Sequence, residues 1–318
     1  MTTLFVQRPS TAKDARRRRI AFSAFVFAGL LVLAAPLAAQ RDFSEVEIRA
    51  TAIADGVHVL EGAGGNLGLV VGAQGAFLID DQYAPLTEKI RAAVAGITDA
   101  PVRFVFNTHW HGDHTGGNEN LAESGSLIVA HDKVRERLSA GQFMEFFDMD
   151  VAPAPEAALP VVTFNDEVTF HLGGHTVHAI HLPGAHTDGD AVVHLREANV
   201  IHTGDIVFYG MYPFIDYGSG GSLAGMVDAV DRMLALSDDE TRFIPGHGGP
   251  VLERDQVRQY RDMLARVLER LQAHLDAGLD LDAIQAEAPT ADFDDFWGGG
   301  FIGPERWIEL NVKGMQGD

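Results

Sequence analysis

No cysteine occurs in the 318 residues of this chain. That absence excludes disulfides, a lipid anchor attached through a cysteine at an export cleavage point, and a thiolate metal ligand. The fold must then be held by its apolar core, which a chain of this size can supply. Basic residues are scarce as well, 24 Lys/Arg against 45 Asp/Glu, for a formal net charge of −21. Residues 1–39 carry six of those bases and one of the acids, so the chain beyond them has 18 bases, 44 acids and a formal charge of −26. A surface of that sign repels polyphosphate and argues against nucleic acid as a partner or substrate. Residues 20–39 lack any charge. They follow the basic cluster Arg16 to Arg19 and end in small residues at Ala34, Ala35, Ala38 and Ala39. This pattern reads as a signal peptide over 1–39, cleaved near Ala39. The expectation is a periplasmic or secreted protein with no stable membrane association after cleavage. An uncleaved anchor facing the periplasm is the alternative, since the apolar run just reaches spanning length.

What the chain does have is a dense histidine pattern, His109-Trp110-His111-Gly112-Asp113-His114, directly after the apolar run 102–106. That run is β-branched and aromatic enough to predict a buried strand, so the pattern falls in the loop at its C-terminal end. Imidazole nitrogen and carboxylate oxygen are the donors that Zn²⁺ and similar borderline cations take. Residues two apart in extended chain point the same way, so His109 and His111 can share one ion. Asp113 and His114 lie just beyond and can turn toward a second. Gly112, Gly116 and Gly117 would let the backbone bend tightly around the metals.

Along the chain, residues 57–80 predict three short strands with glycine turns at 62–65 and 72–75. Residues 86–97 have helical spacing, with Leu86, Ile90, Val94 and Ile97 on one stripe. A strand at 127–130 and a helix at 132–140 follow, and 148–160, with three prolines, reads as a loop. A strand-rich stretch runs over 161–203, an amphipathic helix over 223–236, a strand over 242–245 and a long charged helix over 251–277. Strands, helix and strand, then the same again, suit an α/β chain with two sheets packed face to face and helices outside. The boundaries expected are one domain over 40–318, its core near 55–250, with a C-terminal helical extension.

The histidine pattern resembles the metallo-β-lactamase superfamily of binuclear metal hydrolases, and the later parts of that resemblance come in order. Pro183 to Asp190 is similar to the segment supplying the family's third histidine, here His186. Ile201 to Asp205 is similar to the strand end carrying its bridging acid, here Asp205, and Ile244 to Gly248 to the segment carrying its last ligand, here His247. The resemblance implies an αββα sandwich and two Zn²⁺ per chain. One metal would be held by His109, His111 and His186, the other by Asp113, His114 and His247, with Asp205 bridging. Asp80 ends a stretch similar to the strand before the family's first helix. It is either an acid orienting a ligand histidine or a turn and capping residue. His58, His131, His171, His175, His178, His181, His194, His202 and His274 stay outside the assignment, because no companion ligand stands at a matching spacing.

The chemistry implied is a hydroxide shared by two zinc ions attacking an ester, lactone, thioester or amide of a small-molecule substrate, with Asp113 and Asp205 as catalytic carboxylates. Zinc β-lactamases with a thiolate ligand carry Cys where this chain has Asp205, and Lys where it has Phe208. The full His/Asp set is more similar to glyoxalase II, lactonases and uncharacterised exported hydrolases. Three alternatives stay open: a β-lactamase of weak activity, a mononuclear iron oxygenase of the persulfide dioxygenase type, and a metal-binding protein without turnover. The aromatic segment 208–217 would wall the pocket or pack its own loop. The aromatic tail 293–307 would pack against a sheet edge or cap the site.

Overall fold

A computed structural model describes residues 42–249 and 251–317, so the segment read above as an export signal lies outside the described residues. In chain order the strands are β1 (Arg49–Ala54), β2 (Val57–Glu61), β3 (Leu67–Gly72), β4 (Gly75–Ile79), β5 (Val102–Asn107), β6 (Leu127–His131), β7 (Gln142–Met144), β8 (Met149–Val151), β9 (Val162–Phe164), β10 (Glu167–Leu172), β11 (His175–His181), β12 (Ala191–Leu195), β13 (Val200–His202), β14 (Arg242–Ile244) and β15 (Leu252–Glu253). The α-helices are α1 (Thr87–Ala95), α2 (Gly112–Thr115), α3 (Asn118–Glu123), α4 (Asp132–Ala140), α5 (Leu223–Ala235), α6 (Arg254–Asp276), α7 (Leu281–Ala286), α8 (Asp294–Trp297) and α9 (Pro304–Gln316).

One sheet has the order β1-β2-β3-β4-β5-β6-β9, the other β10-β11-β12-β13-β14-β15. Their facing sides share one apolar layer, in which Phe77, Ile79, Phe106 and Val129 of the first sheet meet Val177, Ala179, Val193 and Val200 of the second. Because side chains alternate along a strand, the other face of β4, Ala76 and Leu78, packs with Leu86, just before α1, and with Ile90 and Val94 of α1. A strand buried on both faces must be apolar throughout, which is why β4 reads as an unbroken hydrophobic run. The outer face of the second sheet is covered by α5 and α6 in a third layer. The architecture is the αββα sandwich expected from the sequence.

Two parts of the sequence reading change. Strand β1 precedes the stretch read as strands and pairs antiparallel with β2. Residues expected as loop contain β8, which pairs antiparallel with β7 as a separate two-stranded sheet. Its rings Phe143 and Phe147 stay exposed, and exposed apolar residues with strand geometry carry no periodic signal when the element is three residues long.

The tail packs, with Trp297 and Trp307 buried and Phe296 and Phe301 exposed. Trp307 stacks on Tyr212 with centroids 4.3 Å apart and donates its indole N–H to the Pro213 carbonyl oxygen at 2.7 Å. A Cβ at Gly314 would fall 2.3 Å from the Tyr217 ring, so only glycine lets α9 lie this close to the 208–217 segment. Helix α9 thereby braces the segment that, as shown next, supports two of the histidines.

Candidate metal centre

The parallel pairs β4/β5 and β13/β14 bring strand C-terminal ends to one edge of each sheet. His109 and His111 follow β5, Asp113 and His114 lie on α2, His186 follows β11, Asp205 follows β13 and His247 follows β14. The structure brings all seven together. One group is His109, His111, His186 and Asp205, the other Asp113, His114 and His247, and within each the ligand atoms lie no more than 4.8 Å apart. Among the described residues, no other histidine joins such a group.

The hydrogen bonds behind the rings fix which nitrogen faces inward. His111 Nε2 donates to Asp216 Oδ2 at 2.9 Å, and His186 Nδ1 donates to the Phe214 carbonyl oxygen at 2.8 Å. Both partners are acceptors, so those nitrogens carry the protons. The opposite nitrogens, His111 Nδ1 and His186 Nε2, then face each other at 2.9 Å with lone pairs. Thr108 spends its hydroxyl proton on Asp80 Oδ2 at 2.8 Å and accepts from His109 Nδ1 at 3.1 Å. This turns a third lone pair, on His109 Nε2, toward His111 Nδ1 at 3.1 Å. Converging lone pairs at that spacing repel unless a cation lies among them, so these residues fit a metal ion. Trp110 keeps His109 and His111 from being consecutive by burying its own ring on the other side, where its N–H reaches Ser219 Oγ at 3.1 Å.

Asp80 acts on the second group. Its carboxylate accepts from His114 Nδ1 at 2.8 Å as well as from Thr108 N and Oγ1. Its backbone is left-handed, φ 62°, a conformation aspartate tolerates better than most residues. Of the two readings of Asp80, the orienting acid is the one the geometry carries. Such outer partners fix ring orientation and raise ligand basicity.

Asp205 lies between the groups. Its Oδ1 is 3.1 Å from His114 Nε2, while Oδ2 is 3.3 Å from His247 Nε2 and 3.6 Å from His186 Nε2. Burial alone would raise its carboxyl, but His114, His247 and His109 hold it well below the ordinary range. His247 shows the opposite balance: burial disfavours its charge, yet Asp205 and Asp113 push it up to about 10. Burial, first among the causes, pulls His186 down to about 4. Burial likewise pulls His109 well down, so His109 and His186 are held neutral, whereas Asp113 and Asp205 beside His247 favour a cation there, whether protons or metal. Asp80, Asp113, Asp205 and Asp216 together supply four carboxylates, enough to balance two dications.

Glycine matters here through crowding rather than through turning. Gly116 and Gly117 have ordinary φ of −65° and −83°, but a Cβ on Gly116 would fall 2.7 Å from the Gln82 carbonyl oxygen. Gly112 has no positive φ and a Cβ there would meet nothing within 4 Å, so neither conformation nor crowding requires glycine at that position. A glycine the sequence reading passed over, Gly246, matters more: its Cβ would fall 2.0 Å from Asp205 Oδ1. Asp216 was also missed as a functional residue, because nothing local marks an acid that acts on a histidine 105 positions away. His202, close to Asp205 in sequence, donates from Nε2 to the Asn66 carbonyl oxygen at 3.0 Å and is not a ligand. In the segment 208–217, Phe208 stacks on His247 at 5.0 Å and Phe214 lies 5.8 Å from His111 and from His186.

Comparisons with known proteins agree with this fold. An acyl-coenzyme A thioesterase, MBLAC2 of Bos taurus, is 26% identical over 157 residues, which is 44% of this chain and 54% of that protein. A hydroxyacylglutathione hydrolase of Erythrobacter litoralis is 34% identical over 108 residues, 34% of this chain and 35% of that protein. The chain thus spans about half, or less, of the length of these curated relatives. Among solved structures, a metallo-beta-lactamase from Pontibacter korlensis superposes with a TM-score of 0.58 at 21% identity, covering 69% of this chain and 99% of that one, a likeness of fold. The family model described as the metallo-beta-lactamase superfamily matches residues 60–270. With that match spanning most of the chain and the sandwich carrying the ligand set at its edge, the chain belongs to the metallo-beta-lactamase superfamily.

Proposed function

We propose that this protein is a metal-dependent hydrolase that uses two zinc ions to cleave an ester, lactone, thioester or amide bond in a small molecule. The observation that carries the reading is the convergence of lone pairs from His109, His111 and His186 next to a second His/Asp group, with Asp205 reaching both. His109, His111 and His186 would hold one cation and Asp113, His114 and His247 the other. When bound, the pair supplies a Lewis acid for the scissile carbonyl and lowers the pKa of water from 15.7 toward about 7.

The chain's own residues divide the remaining work. Asp205, with 4% of its side chain exposed, is closed off from solvent and serves to hold the two groups together. Asp113, 21% exposed and 3.3 Å from His247 Nε2, is the carboxylate that can take a proton and return it to solvent. Phe208 and Phe214 exclude water from the flanks of the imidazoles. Export directed by residues 1–39 belongs to this proposal as its expected setting.

The test is metal content of the purified protein, read beside hydrolysis of a panel of lactones, thioesters, esters, amides and β-lactams. Two zinc per chain, with turnover lost on chelation and restored by zinc, is the expected result. One iron and no hydrolysis would overturn the reading and favour oxygenase chemistry.

A further inference from the structure

The connection between β2 and β3 borders all three residues of the second group. A Cβ on Gly64 would fall 2.9 Å from Asp113 Cβ, and one on Gly65 would fall 2.1 Å from His114 Cε1. Gly65 N also donates to the Asp113 carbonyl oxygen at 3.2 Å. Asn66 reaches the third residue, His247, through the main chain around it. Its Nδ2 donates to the Pro245 and Gly248 carbonyl oxygens at 3.0 and 3.2 Å. Its backbone N donates to the Gly246 carbonyl oxygen at 2.8 Å, and the His247 carbonyl oxygen accepts from Tyr209 N at 2.9 Å. Four consecutive carbonyls are thus held, three of them by Asn66.

This grip matters because His247 is held differently from the other ligand histidines. His109, His111, His114 and His186 each have a hydrogen-bond partner at the ring nitrogen turned away from the cluster. The polar contacts of the His247 ring run through Nε2 alone, to Asp113, Asp205 and His114. Among the described residues, nothing accepts from its Nδ1. Stacking on Phe208 sets the plane of the ring. A stacked ring can still slide in that plane, so the place of Nε2 depends on where the main chain puts it. Asn66 is itself fixed, being buried, with its carbonyl oxygen accepting from His202 Nε2 at 3.0 Å. The Gly65 carbonyl oxygen before it accepts from the buried Gln82 Nε2 at 2.7 Å. The hydrogen bonds of residues 65–66 go to Asp113, Gln82, His202 and the 245–248 main chain, and to none of His109, His111 or His186.

We infer that Asn66 is a positioning residue for the second metal alone, setting His247 through the 245–248 main chain while Gly64 and Gly65 let the same loop close on Asp113 and His114. A second metal belongs to the function proposed above, whereas the grip of Asn66 on 245–248 stands on the hydrogen bonds themselves. The two metals are then built separately. Asp216 and Phe214 support the first from the 208–217 segment, and Asn66 supports the second from the opposite sheet.

Zinc affinity of the full chain, read by competition with a chromogenic chelator, tests this in two backgrounds. His186→Ala leaves the second group intact, and His247→Ala leaves His109, His111 and His186. Adding Asn66→Ala is expected to weaken zinc about 10- to 100-fold in the first background, the usual size for an outer partner of a metal ligand, and to change nothing in the second. Equal losses in both would mean a general loosening of the fold and overturn the inference, as would no loss in His186→Ala. Asn66→Leu, of similar volume and without N–H donors, is expected to repeat the pattern and separates lost donors from lost packing. Amide hydrogen exchange of the metal-free protein gives a second readout. Asn66→Ala should lower protection of Tyr209 N–H, whose acceptor is the His247 carbonyl oxygen, and spare Thr203 N–H, whose acceptor is the Ile244 carbonyl oxygen. Uptake of a single zinc by wild type would end the two-metal reading, and the exchange result then decides the role of Asn66 by itself. Unchanged protection of Tyr209 would overturn it.

Discussion

The Asp216 carboxylate lies 2.9 Å from His111 Nε2, on the side of the ring opposite the nitrogen that meets His109 and His186. Asp216 thereby sets which imidazole nitrogen is the ligand without being a ligand itself. Its own backbone N–H bonds the His186 carbonyl oxygen at 2.9 Å, so the two histidine segments are tied through one residue. Replacement by Ala is expected to weaken the first metal about 10- to 100-fold, the usual cost of losing such an outer partner. Asn, which still accepts a hydrogen bond, should cost less. Competition against a chromogenic chelator reads both, and equal metal affinity in Asp216→Ala and wild type would remove Asp216 from the site.

Asp80 is the corresponding residue for His114, but it is also structural. It is fully buried and accepts from Thr108 N and Oγ1 in addition to the imidazole. Asp80→Ala is therefore expected to weaken the second metal and, in metal-free protein, to cost stability of about 1–3 kcal/mol for each buried donor left unpaired. Asp216→Ala should show the metal effect with a smaller stability loss. Denaturant melts of the two metal-free variants distinguish these outcomes.

The sandwich and most of the site were legible because their signals are local. The strand at 102–106 announces itself as a β-branched and aromatic run, the first helix by the apolar stripe of Leu86, Ile90, Val94 and Ile97, and His109 to His114 form a ligand pattern within six residues. Asp216 was not legible, since its partner His111 is distant in sequence and the two meet only once β5 and the 208–217 segment have packed. The glycines were misread for a related reason. A glycine required for a turn shows in local sequence, whereas Gly246 is required because Asp205 from another strand end lies against it.

That crowding gives a sharp contrast. Gly246→Ala would put a methyl carbon 2.0 Å from Asp205 Oδ1 and 2.6 Å from the Gly204 carbonyl oxygen, where backbone cannot move aside cheaply. Loss of metal stoichiometry is expected, with the Asp205 carboxylate displaced. Gly112→Ala, in open space on α2, should bind metal as wild type does and change stability by no more than about 1 kcal/mol. Metal content of the two purified variants is the measurement, and a reversal of their order would show that Gly112 does bend the metal loop.

Acid sensitivity should arise partly away from the metals, at His131. Its ring stacks on His181 with centroids 3.6 Å apart, Nε2 donates to the Asn165 carbonyl oxygen at 2.8 Å, and Nδ1 accepts from Lys133 N at 3.2 Å as the N-cap of α4. Only the neutral ring satisfies both bonds. Burial first, then the facing His181, hold His131 below its ordinary value, with Asp132 and Asp188 pulling the other way. A depressed folded-state pKa means that the unfolded chain binds the proton more readily below about pH 6.5, so this stability is present above that point and is lost as pH falls. Asn at this position keeps a capping oxygen and does not titrate. The thermal midpoint of metal-free His131→Asn is expected to start lower at about pH 7.5, where the Nε2 bond and the stack are missing, but to fall less steeply toward about pH 5. Parallel slopes for wild type and variant would place the acid lability in other groups.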